Sequence, residues 1–412
     1  MVAQEKAERA GGQAAPYVIE RAAIENRDLL VQWGDGHRSR YHPFWLRHQC
    51  RCPDCGSPVN AIRNIYLEQI PEDITPRLEA WARDRVQLCW TNDGHGSRYE
   101  AVWLRDNCPS EAERAKRRHR PKLWDGRMGA NPPTTDFEAA DADPKARLAM
   151  LEAVNDYGFC KVENLPGEFE ESHRLIRLVG DQRQTHYGSY TLSKKASADN
   201  VGDITSALRP HFDETYRLSG IGITVFEVFN PAASGGASTL VDGFEAVRRF
   251  RAAWPEDFER LCRTPVATQR YDAATSTERE PKWFMANLPL IRLDSEGEVV
   301  GLRLNERQIG PLDLPAEEVG PCYRALKRIF EILYDPDLQL TFPLRAGEGL
   351  LFNNQRVLHG RTAFRAGEAE DAPRSVLTSS VDLEEFYSTL RLLKWQVEGT
   401  TRLMIYPQGM VG

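Results

Sequence analysis

Three side chains of this sequence make up the donor set of an open metal site. In "LRPHFDETYR", His211 and Asp213 are two residues apart, and in a strand such residues point to the same side. "FNNQRVLHGRTAF" supplies His359, 148 residues after His211. Two imidazoles and one carboxylate on one face of a cation leave adjacent positions open. That suits non-haem Fe(II) working with O2 and a bidentate co-substrate. Arg374, 15 residues past His359, offers a fork for a carboxylate at the far end of such a co-substrate. H-x-D alone is common, and a lone histidine is more often a core or surface residue. The ordered set of four carries the reading.

A second constellation sits in the first third of the chain. "GDGHRSRYHPFWLRHQC" runs from Gly34 to Cys50, and "NDGHGSRYEAVWLRDNC" runs from Asn92 to Cys108. From Asp35 onward the two match at ten residue types, with an offset of 58. Only the first continues, as Cys50-x-Cys52-x2-Cys55. Three thiolates this close cannot all pair with one another, but they can grip one soft cation. Zinc in a closed structural site wants a fourth ligand. His95, in the turn of the second copy, is the nearest good candidate, and its twin His37 is the rival. Cys108 alone reads as core. A closed site leaves zinc no position for chemistry, so this cluster is assigned to folding or assembly.

The elements that must position these groups are largely β. "LLVQW" and "RVQLCW" lead through Gly-containing turns into "SRY", which predicts two hairpins. Charge, Pro and Gly over 111–135 predict a linker. The domains expected are therefore a small β unit over 17–110, that linker, and a larger domain over 136–400. "DPKARLAMLEAVNDYG" predicts a helix with an Asp-Pro start and a Gly stop. "FCKVENLP" predicts a strand and "EESHRLIRLVGDQ" a helix. Beyond residue 200 short β-rich runs dominate, with helical inserts at about 244–262 and 316–334. The class expected is mainly β with helical inserts, a sandwich or barrel.

With 412 residues, 41% hydrophobic and 27% charged, the composition is that of an ordinary globular protein. A net charge of −7 speaks against a nucleic-acid role, and "ERAKRRHRPK" reads as a solvated face. No apolar run approaches a membrane span, and the N-terminal residues lack a secretory h-region. Eight cysteines, three clustered and five scattered, predict a reducing cytoplasm rather than a disulfide framework.

The motifs together resemble the γ-butyrobetaine hydroxylase and trimethyllysine hydroxylase family, within the taurine dioxygenase-like Fe(II)/2-oxoglutarate oxygenases. "FWLRHQCRCPDC" resembles the small N-terminal zinc domain of that family, and "HFDETY", "GGASTLVDGF" and "NNQRVLHGR" resemble its catalytic signatures. The resemblance implies a double-stranded β-helix (jelly roll) preceded by a small β-rich zinc-binding domain. It implies Cys50, Cys52, Cys55 and His95 on structural Zn(II), and His211, Asp213 and His359 on Fe(II). It implies Arg374 on the tail of 2-oxoglutarate, with Ser238 and Asn305 helping to hold that co-substrate. O2 is the second co-substrate. The implied reaction hydroxylates an aliphatic C–H bond and releases succinate and CO2. A homodimer is implied, with a small molecule as partner.

For the substrate, the family pattern implies an aromatic cage around a trimethylammonium group. Tyr187 matches one cage position. Thr191, Asp203 and Ser380 stand where aromatic rings are expected, and Tyr190 and Tyr216 are the rings that can compensate. Asp203 suits a cation that donates hydrogen bonds. The expected substrate is a small cationic molecule of betaine, amino-acid or aminophosphonate type. The other readings are desaturation or cyclisation on the same iron, a hydrolytic zinc enzyme, and a non-catalytic zinc-organised binding protein. Halogenation is disfavoured because Asp213 fills the position a halide needs.

Overall fold

The computed structural model describes residues 17–56, 62–168, 171–184, 190–192, 205–273, 280–365 and 374–398. The chain divides into two compact units, one up to His119 and one from Arg120.

The first unit is one motif written twice. β1 (Ile19–Glu25), β2 (Asp28–Trp33) and β3 (Arg38–Tyr41) form an antiparallel sheet that runs into the short helix α1 (Pro43–His48). β4 (Pro76–Ala82), β5 (Arg85–Trp90) and β6 (Gly96–Glu100) repeat it, followed by α2 (Ala101–Asp106). The expected hairpins are β2–β3 and β5–β6; β1 and β4 add a third strand to each sheet. Strand alternation buries Leu29, Val31, Trp33, Val86, Leu88 and Trp90 in one shared core. At its centre Trp45 and Trp103 stack with centroids 5.3 Å apart. Each copy holds the other: Tyr41 donates to the Leu104 carbonyl and Tyr99 to the Leu46 carbonyl, both at 2.6 Å.

The stretch 111–135, expected as a linker, carries structure. Helix α3 (Glu111–Arg117) is capped by Ser110. Trp124 is buried, and its indole donates to the Tyr157 carbonyl at 2.7 Å. The Pro, Gly and charge content of the stretch masked this one anchoring side chain.

In the second unit β7 (Thr134–Asp136) leads through α4 (Phe137–Ala142) to α5 (Pro144–Tyr157). Asp143 caps α5, Pro144 occupies its first turn, and Gly158 closes it at φ 83°, as the sequence predicts. Next come β8 (Phe159–Glu163), α6 (His173–Val179), β9 (Tyr190–Leu192), β10 (Leu208–His211), β11 (Ile223–Asn230), β12 (Ser234–Gly235) and β13 (Ser238–Asp242). The first helical insert is two helices, α7 (Gly243–Ala253) and α8 (Pro255–Arg263), because Pro255 starts a new one. Two hairpins follow, β14 (Val266–Asp272) with β15 (Lys282–Leu288), and β16 (Ile291–Leu293) with β17 (Val299–Leu302). After α9 (Ala316–Leu333) come β18 (Leu340–Phe342), β19 (Glu348–Asn353), β20 (Val357–Arg361), β21 (Phe364–Arg365), β22 (Ser375–Val381) and α10 (Leu383–Glu398).

Two sheets form the double-stranded β-helix. The larger has the order β7-β8-β19-β11-β22-β9, and the smaller β10-β20-β13-β18. Non-sequential neighbours in both are the signature of a jelly roll, in which the chain crosses repeatedly between sheets. Beneath them Arg356 and Asp242, exposed by only 2% and 0%, form a buried ion pair at 3.1 Å. Arg356 also donates to the carbonyls of Asp156 and Lys122, each at 2.7 Å. Asp242 accepts from the Phe244 and Trp124 amides, both at 3.1 Å.

Candidate active site and metal centre

β20 lies between β10 and β13 and is buried along its whole length. Gly360 lets β10 approach: a Cβ there would sit 2.6 Å from the Leu208 carbonyl oxygen. In that register His211 stands opposite His359, so the two side chains are neighbours on one face. Asp213 follows two residues after the end of β10. Its amide donates to Asn354 Oδ1 and its carbonyl accepts from Asn354 Nδ2, both at 3.0 Å. The carboxylate oxygens lie 3.5 Å from His211 Nε2 and 3.4 Å from His359 Nε2.

These donor atoms all fall within 4.8 Å of one another. Adjacent ligands of a six-coordinate first-row ion at about 2.1 Å stand about 3 Å apart, so the donors fit one. His211 Nδ1 lies 2.8 Å from the Arg209 carbonyl oxygen. Its proton belongs there, which leaves the Nε2 lone pair for a metal. Burial pushes the His359 imidazole down to about 4, so at neutral pH it is an uncharged donor. Burial alone would raise the Asp213 carboxyl; His359, His211 and Arg307 together draw it well below the usual carboxylate range. The rings of Phe226 and Phe352 pack on His359 with centroids at 5.7 and 4.8 Å.

The triad opens into a cavity of about 1040 Å³ that includes Ser238, Asn305 and Arg374 in its wall. Arg374 stands just ahead of β22, its guanidinium 5.4 Å from the Phe364 ring centroid. Asn305 is more committed than expected. Its Nδ2 donates to the Phe212 carbonyl at 2.9 Å and its Oδ1 accepts from the Arg307 amide at 3.2 Å. One amide hydrogen remains to give.

Sequence reasoning passed over Arg270, Arg307 and Arg361, which also line the cavity. Arg361 was legible, because it lies two residues past His359 in one strand. Arg270 and Arg307 come from a hairpin and a turn with no motif of their own. Of the expected substrate residues, Tyr187 and Asp203 lie outside the described residues. Tyr190 and Thr191 are on β9 opposite Thr378 and Leu377. Tyr216 is buried at 2% exposure, stacked on Phe284 at 5.7 Å and outside the cavity wall. Ser380 is buried in β22 opposite Thr224.

In the first unit His95 Nε2 lies 3.3, 3.5 and 3.4 Å from the sulfurs of Cys50, Cys52 and Cys55. Tetrahedral zinc with Zn–S of about 2.3 Å and Zn–N of about 2.0 Å separates its ligands by about 3.5 Å. The fourth place goes to His95, not to His37, which contacts Cys108. Burial pushes the Cys55 thiol up to about 11. A cation among these sulfurs offsets that cost, so the donor set fits zinc. Ser97 donates to Cys50 at 3.1 Å and Arg47 to Cys55 at 3.3 Å.

Residues 117–378 match the family model described as taurine catabolism dioxygenase TauD, TfdA family. Residues 21–95 match the gamma-butyrobetaine hydroxylase-like N-terminal model. A gamma-butyrobetaine dioxygenase of Pseudomonas sp. is 30% identical over 381 residues, 91% of this chain and 96% of the relative. A trimethyllysine dioxygenase of Meyerozyma guilliermondii is 27% identical over 401 residues, 91% of this chain and 96% of the relative. The human gamma-butyrobetaine dioxygenase is 26% identical over 394 residues, 92% and 98% of the two chains.

Proposed function

Because this chain belongs to the TauD, TfdA dioxygenase family, we propose that its cavity hydroxylates an aliphatic C–H bond of a small cationic molecule, using Fe(II), 2-oxoglutarate and O2. The observation that carries the reading is the cross-strand pair His211 and His359 with Asp213 between their Nε2 atoms. In this reading those three hold the iron, and Arg374, Ser238 and Asn305 hold 2-oxoglutarate. Cys50, Cys52, Cys55 and His95 hold a zinc ion that organises the first unit.

Bound iron with 2-oxoglutarate supplies the oxidising power, with succinate and CO2 released as the alcohol forms. The protein's residues do the rest. Asn354 and Asn305 clamp the backbone at Asp213 and Phe212, which keeps the carboxylate aimed between the imidazoles. The Arg209 carbonyl sets the tautomer of His211. Arg374 orients the co-substrate through its distal carboxylate. Phe226, Val228 and Val376 make that side of the cavity apolar and keep water from the reacting bond.

Support for a cationic substrate comes from the named activities of the relatives, on butyrobetaine and trimethyllysine. Tyr187, Asp203 and Tyr216 remain the proposed substrate residues, with Tyr216 acting from beneath the β14–β15 hairpin. A homodimer in the cytoplasm belongs to the same reading; among the described residues no helix is long and apolar enough to cross a membrane. The test is anaerobic addition of 2-oxoglutarate to the Fe(II) protein, followed by amines under O2. The expected result is a metal-to-ligand charge-transfer band and amine-triggered succinate, both lost in His359→Ala. Turnover surviving in that variant overturns the assignment.

A further inference from the structure

Four guanidiniums line the cavity, those of Arg270, Arg307, Arg361 and Arg374, against the single carboxylate of Asp213. Under the function proposed above, Fe(II), one Asp213 carboxylate and the dianion 2-oxoglutarate sum to one negative charge, which Arg374 balances. Three cations are then left over. Arg361 is tied into the fold: it donates to the Ser206 carbonyl at 3.1 Å and lies over the Phe364 ring at 4.5 Å.

Arg307 is different. It sits on the turn directly after Asn305, whose Oδ1 holds its backbone amide at 3.2 Å. Through Asn305 that turn is bonded to the Phe212 carbonyl, between the two triad residues His211 and Asp213. The backbone that carries Arg307 is therefore locked to the metal-binding run. Its guanidinium makes no hydrogen bond or ion pair with any described residue, and it lines the cavity from an exposed position at the wall. Arg270 adds a second guanidinium from β14. A planar fork facing a cavity with low-dielectric walls favours an oxyanion that meets it with two oxygens.

We propose that Arg307, assisted by Arg270, forms an anion subsite for an acidic head group of the substrate, separate from the place of 2-oxoglutarate on Arg374. The substrate is then a zwitterion with a carboxylate or a phosphonate at one end. This inference rests on the oxygenase reading above, which gives Arg374 to the co-substrate.

Calorimetric titration tests it on anaerobic protein loaded with Fe(II) and 2-oxoglutarate. The probes are methylphosphonate and acetate, with dimethyl methylphosphonate and methyl acetate as their neutral esters. Saturable binding of at least one anion is expected, weakened tenfold or more in Arg307→Met and by less in Arg307→Lys. The esters should not bind, and the tighter anion names the head group. Arg374→Met should lose 2-oxoglutarate binding and keep the anion. Absent saturation in the wild-type protein, esters binding equally well, or unchanged affinity in a folded Arg307→Met variant each overturns the subsite. A missing charge-transfer band in the wild-type protein counts against the oxygenase reading, and the same titration without iron and 2-oxoglutarate still judges Arg307.

Discussion

His37 Nε2 lies 3.3 Å from Cys108 Sγ, the separation that His95 Nε2 keeps from Cys50 Sγ. The correspondence extends outward. Trp33 donates to Ser39 and Ser39 to Cys108, as Trp90 donates to Ser97 and Ser97 to Cys50. Arg105 binds Asp35 as Arg47 binds Asp93. The first unit thus has two equivalent corners, each built from the turn of one copy and the helix end of the other. At the offset of 58, Ser110 and Glu113 stand where Cys52 and Cys55 stand. Arg47 reaches Cys55, and Arg105 reaches the buried Glu113. One corner has the donors for a metal; the other is closed by Glu113 with Arg105 and Lys116 at 3.1 and 2.8 Å.

Metal content separates the two corners. The purified protein should carry one equivalent of zinc by atomic emission. His95→Ala and Cys52→Ser should lose it and lower the first unit's melting temperature by roughly 10 °C or more. His37→Ala should keep the metal.

The spent corner should be restorable. Ser110→Cys together with Glu113→Cys rebuilds three sulfurs beside His37. The expected outcome is a second zinc equivalent, read by the same measurement. Retention of a single equivalent in a folded double variant refutes the equivalence of the corners.

The Arg356–Asp242 pair should behave as a buried charge lock. Removing one partner by Arg356→Met leaves Asp242 with an uncompensated charge. Urea unfolding should show a loss of about 3–5 kcal/mol. A double variant, Arg356→Met with Asp242→Asn, should recover part of it.

Glu227 gives the stability a pH dependence. It is exposed by only 3%, its Oε1 has no hydrogen-bond partner, and burial pushes its carboxyl up to about 8. The folded state therefore holds a proton that the unfolded chain releases near its ordinary value of 4.5. The contribution is intact below that value and is lost as pH rises through about 8. Glu227→Gln should match the wild type in urea unfolding at pH 4 and exceed it by a few kcal/mol at pH 9.

Much of this was readable before any coordinates. The caps of α5, the hairpin turns and the H-x-D run are local, so residue type and spacing suffice to find them. The three sulfurs are close in sequence and announced a metal. Trp124 and Tyr216 were not readable: an anchoring tryptophan inside a Pro- and Gly-rich stretch, and a ring expected at the substrate that stacks on Phe284 instead. Both depend on what long-range neighbours are present, which no local pattern encodes.

The sequence by itself determined the donor types, because a metal selects nitrogen, oxygen or sulfur by chemistry that residue identity already carries. Only the tertiary structure decided which histidine completes which corner. The β5–β6 turn was folded onto the helix end of the other copy, and pairing of β10 with β20 set His211 against His359. It also decided that the cavity wall carries Arg270 and Arg307. Guanidiniums scattered along a chain become a local field only when packing brings them to one surface.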